Sequence, residues 1–392
     1  MDQGRFVYLD NAATTPLCQQ ALEAMAPYLG VGASGAFGNA NSLHSAGRRA
    51  FGDLERYRMQ VSRALKAGRP DEIVFTSGAT EADNAALVGI CVGIRAQRNQ
   101  AGDHRQGRVV VSSIEHDAVL HSARMLRELG FAVDYVEPDR QGHVSPDLLA
   151  QVMTDATYLV SVMAANNEVG SVNNVAALAR VAHSAGALFH TDAVQALGKI
   201  PVDLKAWGVD AASFSAHKVE GPKGVGVLYL KTGTPFVSYL AGGGQERGRR
   251  SGTQNVCGIA GCSAAVVHAV EDQQRFARAS QAQRDLLYRR LTEIPRVSAT
   301  VDVNSGEFLP NIVNVCVSGM ESQTLILQLD LLGFCVSGGS ACSSNSLDPS
   351  HVLTALGIER KRAQGSLRIS LGPDTTDQDV EDFLAAFAQV VA

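Results

Sequence analysis

From residue 70 onward, short apolar, β-branched runs alternate with stretches whose apolar positions recur every three to four residues. The runs 72–76, 108–113, 131–136, 158–163, 187–190, 210–215 and 225–230 are predicted strands. Helical patterns separate most of them. One covers 81–98 and puts Leu87, Ile90, Cys91 and Ile94 on one face; others cover 117–129 and 174–185. Such alternation predicts a layered α/β sheet, mostly parallel. The last two runs are separated only by residues 216–224, too short for a helical crossover, so they are predicted to pair antiparallel. Past about residue 257 the texture changes. A long helix is predicted over 258–294, then strands 297–303 and 311–317, a helix at 321–332, a strand near 334–337, a Gly/Ser loop, a strand at 366–371 and a helix at 376–390. This second region reads as a smaller α+β unit.

Composition narrows the function classes. At about 150 residues per domain, 392 residues suggest two or three domains. A net charge of −5 without a basic stripe argues against nucleic-acid binding, and 6% aromatics with a single Trp argues against base stacking. No apolar run approaches the roughly 18 residues of a membrane span. The opening MDQGRFVYLD lacks a secretory-signal layout. Seven cysteines, an odd number with no CxxC, argue against a disulfide framework or zinc ribbon and for a reducing, cytoplasmic setting.

Six segments carry candidate chemistry. In EIVFTSGATEADN (72–84) a strand runs through Gly78, Ala79 and Thr80 into a helix, whose open N–H groups suit a phosphate or are simply capped by Thr80. In DAASFSAHKVEGPKGVGVL (210–228) a lysine at a strand end, beside Ser215 and His217, could form a Schiff base. Lys218 and Lys223 compete, and spacing does not choose. Asp192, with Gln195 one turn on, ends a strand where open α/β sheets bind ligands; a helix-capping Asp would stand there too. His116 follows a buried strand and could stack on a flat ring. Asn166 and Asn167 end another strand and either orient a substrate carboxylate or form a turn. Finally, Cys342 lies in FCVSGGSACSSNSLDP, a polar loop. Cys91, Cys316 and Cys335 have apolar neighbours, so Cys342 is the candidate reactive thiol.

The order of the motifs is more specific than any one of them. YLDNAATTP (8–16), FGNANSLH (37–44), TSGATEADN (76–84), EHDAVL (115–120), ANNEVG (165–170), TDAVQALGK (191–199), SFSAHKVEGPKGVG (213–226), GGGQERGRRSGT (242–253) and SGGSACSS (337–344) follow one another. Over residues 7–390 the chain closely resembles the cysteine desulfurases of the pyridoxal-phosphate class V aminotransferase superfamily, iron–sulfur-cluster-assembly type. The resemblance implies a fold-type-I pyridoxal-phosphate-dependent transferase. A large domain, 15–257, would carry a seven-stranded, mainly parallel sheet. A small domain, 258–392, would receive the N-terminal arm 1–14. The enzyme would be a homodimer with active sites at the subunit interface.

Carried over by motif, Lys218 holds pyridoxal phosphate. Ala79, Thr80, Ser215 and His217 contact its phosphate, with Thr253 doing so from the other subunit. Asp192 partners the ring nitrogen, Gln195 the phenolic oxygen, and His116 stacks on the ring and handles a catalytic proton. Asn167 touches cofactor and substrate. Arg368, in GSLRISLG, clamps the substrate carboxylate. Cys342 takes sulfur from L-cysteine as a persulfide, leaving L-alanine, and is a candidate transient iron–sulfur ligand; no other metal is implied. The acceptor would be a protein such as an iron–sulfur scaffold or a tRNA thiolation enzyme. Ala216 and Glu220 depart from the usual residues at positions without chemistry. The chain stops just after its last helix, where some relatives continue into a scaffold-docking tail. The rivals are a pyridoxal-phosphate C–S β-lyase or aminotransferase on the same fold, and a non-catalytic sulfur relay using Cys342 alone.

Overall fold

Most of the apolar runs become strands buried on both faces, and a period of two splits each such run between two cores. A computed structural model describes residues 6–30, 36–339 and 349–392. In chain order the strands are β1 (Val7–Tyr8), β2 (Ile73–Thr76), β3 (Arg108–Ser112), β4 (Ala132–Val136), β5 (Thr157–Ser161), β6 (Leu188–Asp192), β7 (Ala211–Ser215), β8 (Gly226–Leu230), β9 (Val297–Ala299), β10 (Ile312–Val317), β11 (Phe334–Cys335) and β12 (Ser366–Ser370). The helices are α1 (Gln19–Met25), α2 (Ser45–Ala64), α3 (Ala79–Gln100), α4 (Asp117–Glu128), α5 (Pro146–Val152), α6 (Val175–Ser184), α7 (Leu204–Trp207), α8 (Val256–Thr292), α9 (Ser322–Leu331), α10 (His351–Ala355), α11 (Arg360–Ala363) and α12 (Asp377–Val391).

The seven strands β2 to β8 form one sheet in the order β2-β8-β7-β6-β5-β3-β4. From β7 across to β4 all neighbours are parallel, and β8 runs antiparallel to both β7 and β2. Ile73, Phe75, Val110, Val160, Phe189 and Phe214 face one core, with Leu54 and Val61 of α2 and Ile259 of α8. Val74, Val109, Val111, Leu159 and Leu228 face the other, with α3 and α4. The expected face of α3 is the buried one: Leu87, Ile90 and Cys91 are 0% exposed.

A second sheet, β12-β10-β9, has its own core with Leu287, Tyr288 and Leu291 from the far end of α8 and Phe383 and Phe387 of α12. Val7 and Leu9 join this core, β1 pairs parallel with β11, and Asp10 bridges Ser370. The strand expected over 297–303 stops at Ala299. Asp302 then accepts from the Asn304 N–H at 3.0 Å and turns the chain. Cys335 departs from its expected burial. It lies half-buried on β11, which has a partner on one side only, whereas Cys91 and Cys316 are buried. Among the described residues no helix is long and apolar enough to cross a membrane.

Candidate active site

Several strands of the large sheet end at one crevice, and the segments singled out in the sequence lie at those ends. A pocket of about 550 Å³ there is bordered by Ala79, Thr80, His116, Asn167, Asp192, Gln195, Ser215, His217, Lys218 and Arg368. One end is built for an anion. β2 turns through Gly78 into α3, a 22-residue helix whose first N–H groups have no acceptor within the helix. Thr80 lies in the first turn and Gly78 is the N-cap, so Thr80 does not cap the helix. Gly226, the first residue of β8, pairs with both Thr76 and Ser215. A Cβ on Gly226 would lie 2.6 Å from the Gly78 Cα, so only glycine lets the strand approach this turn. His217 Nδ1 lies 3.1 Å from Thr14 Oγ1. Burial and the charges of Lys218, Lys223 and Lys199 hold its imidazole down to about 4, so it is neutral.

The other end is acidic, and its side chains Asp192 and Gln195 are buried. Asp192 ends β6, and its Oδ1 accepts from the Val194 N–H at 2.9 Å. Burial pushes this carboxyl up, while His116, that N–H and Lys218 pull it back. Gln195 Nε2 donates to the Ala12 carbonyl at 3.0 Å. His116 is the N-cap of α4 and accepts from the Ala118 N–H at Nδ1, 3.1 Å, so its proton sits on Nε2.

Between these ends stands Lys218, in a single 3-10 turn that follows β7. Its Nζ donates to the carbonyls of Ala12 and Ala13, both at 2.7 Å, so the N-terminal arm holds the amine. Lys223 also borders the pocket but is exposed. The two lysines, equal by spacing, therefore have different settings.

Arg368 on β12 is 1% exposed and reaches the pocket from the second sheet. It donates to the Asn167 carbonyl at 2.9 Å and to Asp10 Oδ1 at 2.8 Å, while its Nε has no partner. A substrate carboxylate would compete with Asp10 for this guanidinium. The two asparagines divide their work. Asn166 is fully buried and holds the turn through the Glu168 and Val169 N–H groups, and Asn167 faces the pocket. Thr253 is exposed and does not border the pocket of its own chain. Cys342 lies outside the described residues. On either side of them, Ser337 pairs with Arg368, and Ser350 Oγ donates to Glu168 Oε2 at 2.6 Å.

Chemical fit with the expected cofactor is good. An open helix start beside neutral His217 suits a phosphate, a buried carboxylate suits a protonated ring nitrogen, and an amine held between them suits a carbonyl. The sequence reading did not single out Asp10, Ala12 and Ala13 as site residues; the YLDNAATTP motif contained them, but nothing local ties that arm to Lys218. Asp83 and Met163, also at the pocket, were missed because each reads as helix or strand interior. Among the described residues no group of three His, Cys, Asp or Glu side chains is placed to hold a metal ion.

Comparison with known proteins agrees with this geometry. The aminotransferase class-V family model matches residues 7–383. The cysteine desulfurase IscS of Dictyoglomus turgidum is 40% identical over 99% of this chain and 95% of its own. The cysteine desulfurase NifS of Azotobacter vinelandii is 38% identical over 98% of this chain and 92% of its own. Among solved structures, a NifS-like protein superposes with a TM-score of 0.89 at 37% identity, covering 98% of this chain and 99% of that one. The chain belongs to the class-V aminotransferase family, and within it to the pyridoxal-phosphate-dependent cysteine desulfurases.

Proposed function

We propose that this enzyme converts L-cysteine to L-alanine, leaves the sulfur as a persulfide on Cys342, and passes it to an acceptor protein for iron–sulfur clusters or other thio-cofactors. The observation that carries the reading is the convergence of Lys218, Asp192, His116 and Arg368 on one pocket at the start of α3. The first turn of α3 with Ala79 and Thr80, together with Ser215 and His217, would hold the phosphate of pyridoxal phosphate. Asp192 would hold the ring-nitrogen proton, Gln195 the phenolic oxygen, and His116 one face of the ring. When bound, the cofactor supplies an electron sink for charge developing at the substrate Cα.

The chain's own groups do the rest. Arg368, with Asn167 beside it, orients the substrate carboxylate, exchanging its contact with Asp10. Lys218 would take the Cα proton and return it to Cα when alanine forms. Cys342 as thiolate then attacks the substrate sulfur. An S–S bond forms, the Cβ–S bond breaks, and its electron pair stays on Cβ, which takes a proton to become the methyl of alanine. A free thiol is only a few per cent ionised near pH 7, so a base is needed to take its proton; the Nε2 of His116, which already carries the ring proton in this tautomer, is not that base. The six described cysteines are free thiols, which suits a reducing compartment, and we place the enzyme in the cytoplasm.

Product analysis tests this. Cys342→Ser keeps the side-chain size but puts a poor sulfur nucleophile in the loop. It is expected still to bind cofactor and cysteine, with a change in visible absorbance, and to make almost no alanine and no loop persulfide by mass spectrometry. Sulfide, pyruvate and ammonia released at the wild-type rate would show a β-lyase instead.

A further inference from the structure

Asp83 lies on the second turn of α3, where the helix forms one wall of the pocket. Its side chain is 1% exposed, and neither carboxyl oxygen has a hydrogen-bond partner within normal geometry. A buried, unpaired carboxylate is strongly unfavourable in its charged form, and such a group keeps its proton instead.

The groups around it reinforce this. On β6, His190 Nε2 is 3.7 Å from Asp83 Oδ1. Its two ring nitrogens are already engaged by Ser161 Oγ at 2.8 Å and Ser213 Oγ, on β7, at 3.0 Å, and burial holds the ring neutral, at about 3. Also on β6, Asp192 opposes ionisation of Asp83 as a like charge, and Glu115 does so from the turn after β3; the Ser213 hydroxyl on β7 favours the charged form, but less than burial and Asp192 oppose it. Glu115 is itself fully buried, with one oxygen on the Met163 N–H at 2.6 Å and the other without a partner. The cations at the pocket are held elsewhere: Lys218 by the Ala12 and Ala13 carbonyls, Arg368 by Asp10 and Asn167. On α3 itself, Glu81 is paired with Arg250.

Two adjacent carboxyls in a dry site cannot both ionise, and their surroundings are unequal. Asp192 has a backbone N–H on one oxygen, and Lys218 and His116 favour its charge. Asp83 has none of these. We propose that Asp83 is a standing neutral acid that leaves Asp192 as the charged member of this aspartate pair at the ring-nitrogen end of the pocket. Asp83 is thus a positioning residue: it touches no reacting atom and determines which of the two carboxyls carries the charge that the ring-nitrogen proton requires. The inference rests on pyridoxal phosphate occupying this pocket.

Infrared spectroscopy of the holoenzyme, labelled with carboxyl-¹³C aspartate, reads the protonation state directly. Visible absorbance first shows that the pocket is loaded; a chain that takes up no pyridoxal phosphate fails the functional reading. In the loaded wild type, a protonated aspartic-acid carbonyl band is expected to persist between about pH 6 and 9 and to vanish in Asp83→Asn. Cofactor release separates the two carboxyls: Asp192→Asn, which removes the charge, is expected to weaken retention at least about tenfold, and Asp83→Asn by far less. A loaded enzyme with only carboxylate bands across that range, or Asp83→Asn as damaging to retention as Asp192→Asn, overturns the proposal. Absence of the wild-type band overturns the proposal even if the variant does not fold.

Discussion

Lys199 is a charged group that the proposed chemistry leaves unused, buried directly behind the one it depends on. Its Nζ donates to the Lys218 carbonyl at 2.6 Å, and burial, with the Lys218 charge added, holds its ammonium down to about 7. Between about pH 7 and the ordinary lysine value of 10.5, the unfolded chain therefore keeps a proton that the folded chain has lost. Stability is lowest below that window and rises with pH through it, at up to about 1.4 kcal/mol per pH unit. Lys199→Met removes the group, so the wild-type-minus-variant stability difference is expected to move in favour of wild type from pH 7 to 9. Urea midpoints at several pH values check this, and a difference that stays flat would show that Lys199 is an ordinary lysine. Single residues of this kind are poorly legible in a sequence. Asp83 falls inside the predicted helix 81–98 and Lys199 closes the 191–199 motif, and neither stands out there; their character comes from burial by segments far away in the chain. Asp192 and Lys218 were legible because strand-end positions in an α/β sheet are exposed to ligand by topology. The choice of Lys218 over Lys223 came from family resemblance, since their spacing is equivalent.

Among the elements, strands buried on both faces were easiest to read, because β2, β3, β5 and β8 are mainly apolar runs bounded by turn residues. The antiparallel β7–β8 pair followed from the short connection alone. α2 was harder. Its buried positions, Ala50, Leu54, Tyr57 and Val61, keep a helical period, but arginines and acids fill the gaps, and one of those arginines is itself buried. Arg58 is 2% exposed and makes a two-pronged pair with Glu246, at 2.6 and 2.9 Å. Glu246 also accepts from the Phe75 N–H at 3.0 Å. It thereby ties the GGGQERGRRSGT segment to both α2 and the edge strand β2, across φ values of +50° at Glu246 and +58° at Arg247. Removing Glu246 leaves Arg58 with Glu55 Oε1 at 2.9 Å and the Ile73 carbonyl at 2.6 Å, so its buried charge loses its two-pronged partner but is not stranded. Glu246→Ala is expected to cost about 2–3 kcal/mol in urea unfolding, below the cost of an uncompensated buried charge. It should also speed cofactor loss, because the segment that carries Thr253 loses its anchor. Unfolding within error of wild type would mean that water relaxes into the gap and the pair is not structural.

For the whole molecule, the chain's ends and middle meet at the site in a way the sequence did not spell out. β1 pairs with β11, the following arm reaches Lys218, and Arg368 comes from the second sheet, so both cores contribute to one pocket. We propose the division anticipated from the sequence, with α8 joining a large unit to a small one. Its first turns pack under the large sheet and its last turns against β10. Thr253 is the residue this single chain leaves unexplained, exposed and away from its own pocket. We propose a homodimer in which each Thr253 serves the neighbouring pocket, and hybrid dimers test it. In a Lys218→Ala homodimer neither site can bind cofactor covalently, and in a Thr253→Ala homodimer both sites lack the crossing hydroxyl. A dimer with one chain of each kind has one site carrying both defects and one with neither. Co-refolding the two variants is therefore expected to restore alanine production in proportion to the hybrid fraction, and one tightly held, borohydride-reducible cofactor per hybrid. If Thr253 acted within its own chain, the hybrid would contain one site of each defective kind. Its activity would then equal the mean of the two parents, and a fully active monomer would remove the need for a crossing residue.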